Sequence, residues 1–175
     1  MAVMGGHRFG RSLMALAVAL GLGLAGGLAG PGPVLAREAE TAALTASPGE
    51  SGAETSLSLA ELRAMPWTTV STRNLYNDGV VAYAGPLMRD VLARLGLDGA
   101  DSVICVALND YEVEIPTADF RDWDVILAME ADGAPLSPRE TGPLWIIYPQ
   151  TDHPELDAPI YNQRLIWQLI RIEAR

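Results

Sequence analysis

From residue 57 onward the chain alternates short apolar runs with turn residues, and the periods of those runs set the expected elements. "LSLAELRAMP" opens with Ser58 and Glu61 at capping-box spacing, carries Leu59 and Leu62 as a stripe, and stops at Pro66, which predicts a short helix. Residues 67–72, "WTTVST", are β-branched and predict a strand. Asp78-Gly79 then marks a hairpin turn, with residues 80–83 as the returning strand. "GPLMRDVLARLG" predicts a helix with Pro86 in its first turn, Leu87, Val91 and Leu95 along one face, and Gly96 as its cap. Three further strands are expected at 102–108, 111–115 and 124–130. A second turn falls at Asp132-Gly133, a buried strand in "GPLWIIYP" ends at Pro149, and a last strand lies in "LIWQLIRIEA". There are no internal repeats. The sum is an α+β domain, mostly strand, with few helices.

The first 56 residues follow other rules. Residues 12–30 are almost wholly apolar and small, Arg8 and Arg11 precede them, and Val34-Leu35-Ala36 meets the small-residue cleavage rule. This predicts a signal peptide over 1–36, cut after Ala36 and leaving a periplasmic or secreted protein of 139 residues, the size of one domain. Residues 37–56, small, acidic and without aromatics, are expected to be a flexible linker, with the folded domain over 57–175.

Charge narrows the possible partners. The chain has 12 arginines and no lysine, and two of the arginines lie in the signal segment. The remaining ten face 22 carboxylates, a net −12 that repels nucleic acid and anionic lipid. With one cysteine there is no internal disulfide, and Cys105, between Ile104 and Val106, reads as a small buried hydrophobe. A single histidine after residue 36, His153, argues against a tetrahedral zinc site and against a Ser-His-Asp triad.

Four polar features interrupt the apolar runs. Arg73 follows the first strand, where it is either a solvated hairpin arginine or a planar donor for an anion or carbonyl. Asn109-Asp110-Tyr111 separates two strands, either as turn chemistry or as the polar lip of a site. Trp123, between Asp122 and Asp124, either packs on the core edge or stacks a planar ligand. Arg139 sits beside Glu140 in a tight loop, paired there or anchoring a ligand. An aminopyrimidinone would use such groups together. A carboxylate accepts from its two parallel N–H donors, an aromatic face covers the ring, and Arg or Asn meets the carbonyl.

The order "LYNDGVVAYAGPLMRDVLARLG", "VICVALNDYEVEIPTADF", "VILAMEADGAPLSPRETGPLWIIYP", "IWQLIRIEA" resembles the oxidoreductase molybdopterin-binding domain, the sulfite-oxidase fold, over residues 57–175. The resemblance implies a mixed α+β fold with a pterin-binding cleft. Catalytic members ligate molybdenum through a Cys about fifteen residues before the helix-start Leu. Here that count falls near Thr72, and Cys105 lies in a different strand. "HRFGRS" separates its arginines, unlike the twin-arginine signal that exports a preloaded molybdenum enzyme. Both features resemble a small periplasmic branch lacking the Cys, whose members bind a reduced pterin without metal. Loaded with pterin, they dock on the periplasmic domain of a membrane sensor of cyclic-di-GMP turnover. The resemblance implies a non-catalytic pterin binder with no metal. Asp110 would grip the pterin edge, with Asn109, Tyr111, Arg73 and Arg139 around it and Trp123 or Trp145 stacking. The alternatives are a molybdopterin-dependent oxidoreductase with a non-Cys molybdenum ligand, and an empty scaffold that only makes protein contacts.

Overall fold

The computed structural model describes residues 42–49 and 52–175, so the predicted signal peptide lies outside the described residues. Among the described residues the strands form three sheets: a five-stranded one in the order β2 (Thr55–Ser58), β1 (Ala42–Ser47), β11 (Leu169–Ala174), β5 (Ser102–Ala107), β6 (Glu112–Pro116); a four-stranded one in the order β3 (Trp67–Thr72), β4 (Val81–Pro86), β8 (Glu130–Ala131), β9 (Ala134–Pro135); and a ribbon of β10 (Trp145–Ile147) with β7 (Ile126–Ala128), accompanied by short α-helices.

The linker expectation fails over its middle. Ala42–Ser47 is strand β1, parallel to β11 (Leu169–Ala174) and antiparallel to β2 (Thr55–Ser58). Leu44 and Ala46 are fully buried while their neighbours are not, a period of two in a segment too small and polar to show it by composition. Pairing on both sides supplies the backbone partners that its composition does not advertise.

Helix α1 (Leu59–Ala64) starts on the expected capping box. The Glu61 N–H donates to Ser58 Oγ at 3.2 Å and the Ser58 N–H to Glu61 Oε2 at 2.8 Å; the Ser58 N–H, and then its hydroxyl at 2.9 Å, donate to the Glu61 carboxylate and hold it below its usual range. β3 (Trp67–Thr72) has the predicted bounds and pairs with β4 (Val81–Pro86), but residues 73–80 make a broad loop rather than a tight Asp78-Gly79 turn. Helix α2 (Met88–Leu95) buries Met88, Val91, Leu92 and Leu95 and ends at Gly96 with φ 76°. Pro86 closes β4 instead of entering this helix.

The run at 124–130 divides into β7 (Ile126–Ala128) and β8 (Glu130–Ala131), and β8 turns through Asp132-Gly133 into β9 (Ala134–Pro135). β7 pairs with β10 (Trp145–Ile147). This ribbon lies between two cores. Ile126, Ala128, Trp145 and Ile147 join the smaller one with Val70 and Tyr83; Leu127, Leu144, Ile146 and Tyr148 join the larger one with Leu44, Val91 and Ile172. Burial on both faces explains why "VILAM" and "LWIIY" have no polar alternation. β4 passes so close to β7 that a Cβ on Gly85 would strike the Leu127 carbonyl.

β5 (Ser102–Ala107) and β6 (Glu112–Pro116) form a hairpin at the edge of the five-stranded sheet. Helix α3 (Thr117–Asp122), absent from the sequence expectations, follows directly, and α4 (Pro159–Asn162) precedes the run into β11.

Candidate functional site

A cleft of about 490 Å³ opens where three loops meet at one end of the five-stranded sheet. The β5–β6 turn contributes Asn109 and Tyr111, the β3–β4 loop Leu75 and Tyr76, and α4 with the run after it Asn162, Gln163 and Trp167.

The turn is built from its own residues. Asp110 adopts φ 62° and donates its N–H to the Ala107 carbonyl at 3.1 Å, while the Tyr111 N–H donates to Asn109 Oδ1 at 3.2 Å. This is the local chemistry that Asn and Asp supply in turns. It projects Asn109 and Tyr111 along the cleft and leaves Asp110 exposed at the tip, outside the lining. The Tyr111 hydroxyl then crosses the mouth to the Gln163 carbonyl at 3.0 Å.

The opposite wall is aromatic. Trp167 and Tyr76 meet edge to face at 4.7 Å and 82°. Behind them Trp145, 3% exposed, packs against Tyr76, Tyr83 and Trp167 and donates its indole N–H to the Leu165 carbonyl at 3.2 Å. Desolvation in this stack raises the Tyr76 and Tyr83 phenols above their ordinary range. Trp145 is therefore a support for the wall rather than a stacking face. Trp167, which nothing in its apolar run of sequence marks out, lines the cleft.

The other expected groups lie elsewhere. Trp123 ends α3 and packs its ring on His153 at 4.7 Å. Arg139 is exposed in the loop before β10, a loop tied by Gln168 Nε2 to the Pro138 carbonyl at 2.9 Å. Arg73 is exposed, and its N–H donates to Thr151 Oγ1 at 3.0 Å. Neither arginine lines the cleft. Of the seven expected residues, the cleft gathers Asn109 and Tyr111 on its surface and Trp145 behind it.

A buried ion pair sets the position of α4. Arg164 Nη1 meets Asp119 Oδ2 at 2.6 Å, each side chain 11% exposed, and the Tyr148 hydroxyl donates to the same oxygen at 2.7 Å. Burial first, and then the Asp119 charge, push the Tyr148 phenol well above its ordinary range. Asp119 comes from α3, so the pair fastens the segment after α4, which forms part of the cleft wall, to that helix.

Thr72, near the position at which the resemblance puts the molybdenum-ligating Cys of catalytic members, is fully buried at the end of β3. Its Oγ1 accepts the Thr151 N–H at 3.1 Å. Cys105 is buried in β5, and desolvation pushes its thiol up to about 12. Among the described residues there is no cluster of three His, Cys, Asp or Glu side chains placed to hold a metal.

No curated protein sequence matches this chain. Among solved structures it is similar in fold to the sulfane dehydrogenase SoxCD from Paracoccus pantotrophus, with TM-score 0.56 and 15% identity over 75% of this chain. The match spans 37% of that chain's length. The model of the oxidoreductase molybdopterin binding domain matches residues 32–151, more than half of the sequence, and the chain belongs to that family.

Proposed function

We propose that this chain is a non-catalytic periplasmic protein that binds a pterin without metal. In this reading it passes the ligand's presence to the periplasmic domain of a membrane-bound signalling protein. The observation that carries the reading is the make-up of the cleft: aromatic and aliphatic walls with neutral amides and phenols, and no charged side chain among the described residues that line it.

The family implies molybdopterin, a pterin bearing a phosphate and a dithiolene that holds the metal. The ring fits. A flat heterocycle can lie against Trp167 while amides meet its polar edge. The remainder does not fit. A phosphate finds no arginine or histidine in the lining, and a metal finds no thiolate, since Thr72 is committed to Thr151 and the Cys105 thiol is sealed in the core. The partner and the periplasmic location rest on the resemblance to the small Cys-less branch and on the apolar segment at residues 12–30.

The test is to purify the protein from its native periplasm, extract it, and identify the released small molecule by mass spectrometry beside elemental analysis. A pterin near one per chain without molybdenum supports the reading. Stoichiometric molybdenum would transfer the protein to the oxidoreductase alternative, and retained partner binding with no ligand would leave a contact scaffold.

A further inference from the structure

The cleft contains two asparagines, and the hydrogen-bond chemistry around Asn162 fixes which end of its amide faces a ligand. Gln150 is 4% exposed, and one terminal atom of its side chain lies 2.8 Å from the Leu156 carbonyl and 2.7 Å from Asn162. A carbonyl oxygen only accepts, so that atom is the Gln150 nitrogen. The same nitrogen donates to Asn162, so the Asn162 atom it meets is Oδ1. Reversing the Asn162 amide would set NH₂ against NH₂ in a partly buried place. The Asn162 Nδ2 has no acceptor among the described residues, and Asn162 lines the cleft.

Gln150 makes this arrangement at its own expense. Its Oε1 is buried and finds no partner among the described groups. A buried amide half satisfied in this way is unfavourable by itself and is expected where it orients something else. At the lip, Asn109 repeats the pattern: its Oδ1 accepts the Tyr111 N–H, and its NH₂ has no partner among the described residues.

We propose that Asn162, oriented by Gln150, is a specificity-determining donor that meets a ring carbonyl oxygen of the ligand, so that the cleft selects oxo-heterocycles over their amino counterparts. The inference rests on the pterin-binding reading of the cleft. It keeps the amide-to-carbonyl contact expected from the sequence but moves it to Asn162, and it does without the Asp110 carboxylate, which lies outside the lining.

Two commercial probes differ at the relevant atom: 6-hydroxymethylpterin, with its 4-oxo group, and 2,4-diamino-6-hydroxymethylpteridine, where an amino group replaces it. Fluorescence titration of the full chain should show the oxo compound binding at least about tenfold more tightly, the size expected for one unmatched polar contact. Asn162→Asp keeps an acceptor for Gln150 and replaces the cleft-facing donor with an oxygen, so it should reverse the preference. Equal binding of the two probes by the unaltered protein would overturn the inference without any variant. An Asn162→Asp protein that binds and keeps the original preference would do the same. If the unaltered protein binds neither probe, the pterin reading itself falls and takes the inference with it.

Discussion

Tyr111 donates its hydroxyl to the Gln163 carbonyl at 3.0 Å, and this bond joins the β5–β6 turn to the segment after α4 across the mouth of the cleft. Both residues line the cleft, so the strut holds the separation of two walls that have no sequence proximity. Tyr111→Phe keeps the ring and removes the bond. Because the side chain is largely exposed, the loss in urea-unfolding stability should be at the low end of about 0.5–1.5 kcal/mol. Pterin affinity, read by fluorescence titration, should fall several-fold as the mouth loosens. Unchanged affinity would mean that the strut does not shape the site.

Asp119 and Arg164 form the second fixing point, and here burial changes the scale. Asp119→Ala strands a guanidinium that is 11% exposed and removes the acceptor of the Tyr148 hydroxyl. Removing one partner of a buried pair destabilises by about 3–5 kcal/mol, so the denaturation midpoint should drop sharply. Asp119→Asn retains an acceptor for both donors and should lose less. Equal losses would show that the charge, and not the hydrogen bonding, dominates.

Alkaline pH should weaken the fold through groups whose protons are held by burial. The Cys105 thiol is pushed from 9.0 to about 12. Between those values the unfolded chain has released the proton and the folded chain has not. The thiol's contribution is complete below pH 9 and is lost as pH rises toward 12, at up to about 1.4 kcal/mol per pH unit. Tyr148, also raised, adds to the decline above its ordinary value of 10.0. Urea denaturation at pH 8, 9 and 10 should show falling stability, and Cys105→Ala should flatten the step between pH 9 and 10.

Local elements were legible where one face is buried and the other is wet. The stripe of α2, the capping box of α1 and the β-branched run of β3 each follow from spacing and turn chemistry alone. β1 was not legible, because Ala42–Ser47 is held by pairing with β2 and β11 rather than by its own composition. The site was legible only in its turn. Asn109 and Tyr111 stand out as polar groups at a strand seam, and turn geometry then selects them over Asp110. Asn162, Gln163 and Trp167 carry no period and lie about fifty residues away, so only the tertiary fold joins them to that turn. Telling Trp145 from Trp167 needed the ribbon's position between two cores, since a strand buried on both faces gives no sign of which side is wet.

That difference between tryptophans gives the sharpest mutational contrast. Trp167 lines the cleft and is braced by Tyr76 at 4.7 Å and by Trp145 behind it, so its ring is the surface on which a flat ligand can stack. Trp123 packs on His153 away from the lining. Removing an aromatic stacking surface typically weakens binding of a planar base by about 1–3 kcal/mol. Trp167→Ala should therefore weaken pterin binding by roughly 5- to 150-fold. Trp123→Ala should leave affinity unchanged while lowering stability, because its ring is partly buried against the main core. Thermal melts separate folding from binding in both variants. If Trp123→Ala lost the ligand and Trp167→Ala kept it, the binding site would lie at the end of α3 and not between the β5–β6 turn and α4.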